Sequence, residues 1–203
     1  MKFKTLKTDA ELLSYSKTVA PHIDVELPLE YLKRSKVVAC FDDEKNICGG
    51  FVIVKQGPFR VLESIPTAHS LATRLNRSSK VAEITGLWLS DNVTKKRESL
   101  NLWLRLIWGM ITSGKNKFTY AYSLKKPSVG KLYQAARPRV LFSGPTKILP
   151  GMPCADYESV EFFHLKNLLS CPFRRPDLFI KRFFGERKCA ESSVMLTTIS
   201  GET

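Results

Sequence analysis

A short basic segment precedes an amphipathic helix near the middle of the chain. Lys95, Lys96 and Arg97 follow the strand-like run VAEITGLWL and lead into ESLNLWLRLIWGMITSG. A helix that begins near Arg97 or Glu98 presents unpaired N–H groups and the positive end of its dipole, which together attract phosphate or another anion. The glycines that let a backbone wrap closely around phosphate are missing. A solvated basic loop that binds nothing is therefore the alternative.

Glu83 is a polar residue on an otherwise apolar predicted strand. If the strand buries it, loss of water raises its pKa towards the working pH, where a carboxylate can act as a general base. If that face of the strand is exposed, Glu83 is only a solvent-facing residue. The three histidines lie far apart in the sequence without a paired acid at a telling spacing, so they indicate no catalytic triad.

Composition restricts the class of protein. The chain has 203 residues, is 43% hydrophobic and carries a formal charge of +13, which favours one core and an anionic partner. Between residues 93 and 139 there are eleven basic residues and one acid, so we expect either a docking surface or a solvated basic face. Five scattered cysteines without CxxC spacing indicate neither a disulfide framework nor a metal site.

No apolar run has the length of a signal peptide or a membrane span, which predicts a cytoplasmic protein that is not transmembrane. Periodicity predicts the element order ααββαβαβαββ, with a hairpin from VVACF to GGFVIV. Such an order is typical of an α/β fold, a mixed sheet with helices on both faces. We expect one domain over residues 1–164, followed by a basic, aromatic and partly disordered C-terminal extension over residues 165–203.

The element order over residues 1–164 resembles the acyltransferase fold of the GCN5-related N-acetyltransferase (GNAT) superfamily. Two segments carry the resemblance: residues 82–110, and KKPSVGKLYQAARPRVLFSGP, in which Tyr133 falls on the position of the superfamily's tyrosine. The resemblance implies a mostly antiparallel sheet and transfer of an acyl group from acyl-CoA, a co-substrate and not a tightly bound cofactor, to an amine. It also implies donor contacts from Leu87, Trp88, Leu89, Lys95, Lys96, Arg97, Glu98 and Ser99, and no metal.

A second resemblance concerns the donor. Glu83-Ile84-Thr85-Gly86 is similar to the Glu-x-Ser-Arg signature of autoinducer synthases and related N-acyl amino acid synthases, with Gly86 in place of the arginine. The segment VLFSGPTKILPGMPCADYESVEF is similar to their later pattern. Because that branch takes its acyl chain from acyl carrier protein, which is acidic, the basic residues would suit an acyl-phosphopantetheine donor of this kind as well as coenzyme A.

Acyl transfer assigns chemistry to two residues. Glu83 would accept the amine proton, and Tyr133, whose phenol is a neutral donor at pH 7, would protonate the leaving thiolate. A half-buried packing role is the alternative for Tyr133. Trp88 would line an acyl tunnel or belong to the core.

A different class of function also fits the composition. The segments FRRPDLFIKRFFGERK and KNKFTYAYSLKK interleave aromatic and basic residues, a pattern that binds single-stranded nucleic acid by stacking and phosphate contact. A GNAT-like domain that has lost catalysis and recruits a protein partner is a further alternative. The amine acceptor remains open at this point.

Overall fold

The computed structural model describes residues 1–66, 69–93, 96–126, 133–174 and 176. One seven-stranded sheet organises these residues. Its strands are β1 (Lys2–Leu6), β2 (Ser35–Phe41), β3 (Ile47–Val54), β4 (Val81–Leu89), β5 (Lys117–Ser123), β6 (Arg139–Pro145) and β7 (Tyr157–His164). The helices are α1 (Asp9–Ile23), α2 (Leu29–Lys33), α3 (Arg60–Glu63), α4 (Ser70–Asn76), α5 (Lys96–Thr112), α6 (Leu165–Leu169) and α7 (Cys171–Arg174).

The strand order is β1-β2-β3-β4-β5-β7-β6, and every neighbouring pair except β4 and β5 is antiparallel. The prediction of a mixed, mostly antiparallel sheet is therefore confirmed. Strand β1 was missed, because its segment KFKTL buries only Leu6 and gives no apolar run. It pairs along β2, from Lys2 opposite Phe41 to Leu6 opposite Val37, and forms one edge of the sheet.

Alternating residues of the strands build a separate core on each face of the sheet. Helices α1 to α4 cover one face, where Val52, Val54 and Val81 are buried. Helix α5 covers the other, where Ile53 and Ile84 are buried. Helices on both faces are thus confirmed. Helix α1 is capped by Thr8, whose hydroxyl accepts from the N–H of Glu11.

Strands β4 and β5 stay together for only three residues. Residues 81–83 of β4 pair with residues 117–119 of β5, and the pairing stops there. Strand β5 continues along β7 as far as Ser123 opposite Glu158, while β4 continues along β3. The second halves of β4 and β5 therefore separate and leave a gap in the middle of the sheet.

A bulge in β4 lies beside this gap. Gly50 pairs with Trp88 and Val52 with Thr85, so two residues of β4 face one residue of β3. Gly86 in the bulge has a φ of +58°, a left-handed conformation that favours glycine. The buried Tyr15 of α1 donates from its hydroxyl to the Gly86 carbonyl oxygen over 2.8 Å. Helix α1 thus holds the bulge in place.

Two predicted segments fall largely outside the described residues. Of the short helix predicted in PSVGKLYQAA, the structure describes Tyr133 and a 3-10 turn over Gln134–Ala136. Of the C-terminal extension, it describes α6 and α7, and Leu165 and Leu168 of α6 pack against the core under α5. The predicted disorder after residue 176 lies outside the described part and stays a prediction.

Candidate active site

Glu83 lies on β4 at the last residue that pairs with β5. Its side chain is fully buried, on the face covered by α1 to α4, and does not face solvent. The hydroxyl of Tyr31 on α2 donates to Glu83 Oε1 over 2.5 Å. Oε2 is buried and has no hydrogen-bond partner among the described residues. One oxygen is therefore held by a side-chain hydrogen bond, whereas the other has none.

Burial raises the pKa of Glu83 to about 7, because the carboxylate loses its water. The hydrogen bond from Tyr31, the backbone N–H groups of Val61 and Arg60, and the charge of Arg60 oppose this effect without cancelling it. A carboxyl group with a pKa near neutrality exchanges protons readily at physiological pH. A pKa in this range is the one that a general base working near pH 7 requires.

Tyr133 is buried on the opposite face of the sheet, within the core under α5. Its ring centroid lies 4.1 Å from that of Tyr120 and 6.0 Å from that of Trp103. The described structure therefore places it in an aromatic cluster, not half in water.

Glu83 and Tyr133 line the same cavity, of about 160 Å³, at the point where β4 and β5 separate. Because the two residues belong to opposite faces of the sheet, a ligand in the gap has a carboxyl group on one side and a phenol on the other. The sequence suggested both residues but did not indicate that one cavity holds them.

A buried carboxyl group on β7 supports the tyrosines of this cavity. Glu161 accepts hydrogen bonds from the hydroxyl groups of Tyr120, Tyr122 (3.2 Å) and Ser159 (2.9 Å). Burial and this neighbouring carboxyl hold the pKa of Tyr120 well above its usual value. Tyr120 thus stays protonated and fixed against the ring of Tyr133. Sequence reasoning missed Glu161, because alternation along YESVEFFHL does not show which of its acids are buried in the fold.

The predicted donor residues on β4 lie in different surroundings. Leu87 lines the main cavity, and Leu89 packs against the core under α5. Trp88 stacks on His22, with ring centroids 4.1 Å apart, and lines a second pocket. That pocket also contains Asp42, Asp43 and Glu98. Its acidic lining does not suit a phosphate group.

The helix that follows begins at Lys96, close to the predicted position. Lys95 and the side chain of Lys96 lie outside the described residues. Arg97 is exposed and Ser99 is half-buried in the first turn. Glu98 faces the second pocket, where its Oε1 lies 3.6 Å from the amino group of Met1. Of the predicted anion-binding side chains that are described, Arg97 is the cationic one.

Part of the positive charge near the cavity is already paired. Lys126 contacts Asp24 at 2.7 Å, and Lys125 contacts Asp156 at 3.0 Å. Asp24, Asp156 and Lys126 all line the cavity. These pairs make the mouth of the cavity close to neutral, which the count of charges along the sequence did not predict.

No protein-family model and no curated protein sequence matches this chain. The structure is similar to that of FeeM, an N-acyl amino acid synthase from uncultured soil microbes. The TM-score is 0.57 at 11% identity, over 85% of this chain and 98% of that one. The chain has the GNAT fold.

Two further GNAT-fold structures support this assignment. The AHL synthase LasI gives a TM-score of 0.54 at 12% identity, over 81% of this chain and 90% of that one. Mutant forms of the spermidine/spermine N-acetyltransferase SpeG from Vibrio cholerae give a TM-score of 0.54 at 10% identity. The match covers 83% of this chain and 96% of that one. The resemblance drawn from the sequence, including the autoinducer synthase branch, is confirmed for the fold. None of the helices that the structure describes is long and apolar enough to cross a membrane.

Proposed function

We propose that the protein is an N-acyltransferase that transfers an acyl group from a phosphopantetheine thioester to an amine. One observation carries the proposal. A buried carboxyl group with a pKa of about 7 and a buried phenol line one cavity, from opposite faces of the sheet, where β4 and β5 separate. The GNAT fold, which the solved acyltransferases above share, supports the same reading.

The reaction needs two proton transfers, and the cavity has one group for each. The amine nitrogen attacks the thioester carbonyl carbon, and Oε2 of Glu83 takes a proton from that nitrogen as the C–N bond forms. The C–S bond then breaks, and the Tyr133 hydroxyl gives a proton to the leaving thiolate. Glu83 releases its proton to solvent and Tyr133 regains one, so the products are an amide and a free thiol.

The donor would enter through the gap between the strands. Its pantetheine arm would run along the unpaired edge of β4 at Leu87, where residues 84–89 have no partner in β5. The acidic second pocket disfavours phosphate, so we place the phosphates of the donor on the side of α5 that carries Arg97. There the helix N-terminus adds a favourable dipole.

Acyl-CoA is the donor that we propose first, because a helix N-terminus and a few cations suffice for its phosphates. An acyl carrier protein would require a broader basic surface. Arg137 and Arg139 are exposed, but Lys125 and Lys126 are engaged in ion pairs. A carrier protein would therefore depend on the exposed arginines more than on these lysines.

The experiment is a direct search for product. The protein is incubated with acetyl-CoA, a long-chain acyl-CoA or an acylated acidic carrier protein, together with a panel of amines. Mass spectrometry then follows the amide and the released thiol. We expect the two products in equal amounts with at least one donor. No product with any donor, together with a raised melting temperature in the presence of a short oligonucleotide, would favour the nucleic-acid alternative.

A further inference from the structure

Arg60 is a cation in the cavity that forms no ion pair within the part of the chain that the structure describes. It begins α3 and lines the same cavity as Glu83. Its guanidinium carbon lies 5.7 Å from the ring centroid of Tyr31, the residue whose hydroxyl donates to Glu83. Among the described residues, its side chain forms no ion pair within 4.0 Å and donates no hydrogen bond. Its planar fork of N–H donors is therefore available to a ligand.

The other charges in the cavity do not satisfy this arginine. Asp24 and Asp156 are paired with lysines at the mouth. Glu158 also lines the cavity, where burial raises its pKa, but it forms no ion pair with Arg60 within 4.0 Å. In both Glu158 and Glu83 the charge of Arg60 opposes the rise in pKa caused by burial, so its field reaches both groups without a direct ion pair. Among the described residues, the cavity is thus lined by a cation without an ion pair, Arg60, and by a carboxyl oxygen without a side-chain hydrogen bond, Oε2 of Glu83.

We infer that the acceptor is an amine that carries a carboxylate close to its amino group, as an α-amino acid does, and that Arg60 binds this carboxylate. The inference rests on the proposed function, in which Glu83 takes the proton of the amino group. A guanidinium matches a carboxylate with two parallel hydrogen bonds, and the aromatic face of Tyr31 keeps the guanidinium in place. A polyamine fits less well, because it would bring further positive charge to Arg60.

Arg34 provides a matched control for Arg60. Its guanidinium carbon lies 5.3 Å from the same Tyr31 ring, so both arginines stack on one aromatic side chain. The guanidinium of Arg34, however, donates to the carbonyl oxygens of Gly57 (3.3 Å) and Pro58 (2.6 Å). It does not belong to the residues that line the cavity. Replacing Arg34 removes the same charge from the same ring without touching the proposed carboxylate site.

The test compares acceptors that differ only in the carboxylate. Phenylalanine is compared with 2-phenylethylamine, and leucine with 3-methylbutylamine, each with the same donor. We expect the parent protein to prefer the amino acid in kcat/KM. Arg60→Gln should reduce that preference by about 10- to 100-fold, mainly through the KM for the amino acid. Arg34→Gln should preserve it. Loss of the charge at Arg60 alters Glu83 equally for both acceptors. The ratio of their kcat/KM values therefore measures the contact with the carboxylate alone.

Several results would overturn the inference. They are equal rates for amino acid and amine in the parent, equal losses for both in Arg60→Gln, and a preference for spermidine or O-phosphoethanolamine over the amino acids. Ligand-observed NMR with phenylalanine and 2-phenylethylamine measures the same contact without turnover. If no acceptor is acylated, the proposed function fails, while selective binding of phenylalanine that Arg60→Gln abolishes still supports the carboxylate site. Absence of that selectivity contradicts it.

Discussion

Tyr31 donates its hydroxyl to Oε1 of Glu83 over 2.5 Å, across 52 positions of sequence, and leaves Oε2 without a described partner. Helix α2 therefore fixes the orientation of a carboxyl group that belongs to the central strand β4. The hydrogen bond keeps one oxygen occupied, and it opposes the rise in the pKa of Glu83 caused by burial. A carboxyl group held in this way has one oxygen without a side-chain hydrogen bond.

The rate of acyl transfer should depend on the protonation of Glu83. With a pKa of about 7, the carboxylate forms as the pH rises, so kcat should increase through this range and level off above it. Glu83→Gln should lower kcat by about 10²- to 10⁴-fold and remove this dependence. Glu158→Gln, a second carboxyl group lining the cavity, is the control and should keep the pH profile. A profile unchanged in Glu83→Gln would exclude Glu83 as the base.

Glu83 should also make the folded protein less stable as the pH rises. Its pKa is about 7 in the folded protein and 4.5 in the reference state, so folding retains a proton between these values. The contribution of this group to stability is fully present below pH 4.5 and is lost as the pH passes through about 7. Glu83→Gln should remove this loss, which amounts to at most about 3 kcal/mol. Urea unfolding at several pH values measures the free energy of unfolding of the parent and of Glu83→Gln. If that free energy changes with pH in parallel in the two proteins, the prediction is wrong.

Tyr133→Phe should keep the ring contacts and remove the proton donor. We expect a normal melting temperature and a fall in kcat of about 10²-fold or more. Tyr122→Phe removes another hydroxyl from the same cavity, one that donates to Glu161, and should have a much smaller effect. The outcome that counts against the assignment is a larger loss in Tyr122→Phe than in Tyr133→Phe.

The β4 bulge gives a prediction that separates stability from activity. Gly86 and Gly114 both have positive φ, at +58° and +72°. A Cβ atom at Gly86 would lie 3.2 Å from a methyl group of Val52, whereas a Cβ at Gly114 would meet nothing within 4 Å. Gly114→Ala should cost about 1 kcal/mol of backbone strain and leave acyl transfer unchanged. Gly86→Ala should cost at least as much and also slow the reaction, because the bulge lines the cavity. Equal activity in Gly86→Ala and Gly114→Ala would show that the conformation of the bulge does not affect the reaction.

The sequence predicted most of the elements but could not predict their surroundings. In VAEITGLWL, alternation places Glu83 and Thr85 on one face, a pattern that equally fits an exposed polar face. Only the fold shows that α1 to α4 cover it. Tyr31 and Arg60 gave no local signal, because each acts through a residue that is distant in sequence. Strand β1 was missed because an edge strand needs few apolar residues.

The distribution of charge along the sequence predicted the binding surface less well than apolar periodicity predicted the helices and strands. The basic residues between positions 93 and 139 predicted either a docking surface or a solvated basic face, and the fold pairs two of them, Lys125 and Lys126, with acids elsewhere in the chain. The anion site predicted at the start of α5 keeps the exposed Arg97, while Glu98 turns towards an acidic pocket. Net charge along a segment does not show which charges the fold brings together.

A crystal structure with a thioether analogue of an acyl-CoA, which cannot react, tests the central claim most directly. We expect the analogue in the gap between β4 and β5, with its sulfur within roughly 3 to 4 Å of the Tyr133 hydroxyl. The carbon in place of the carbonyl should be open to attack from the Glu83 side. An analogue bound elsewhere, or one whose sulfur lies on the Glu83 face away from Tyr133, would contradict the claim that these two residues act on one thioester from opposite faces of the sheet.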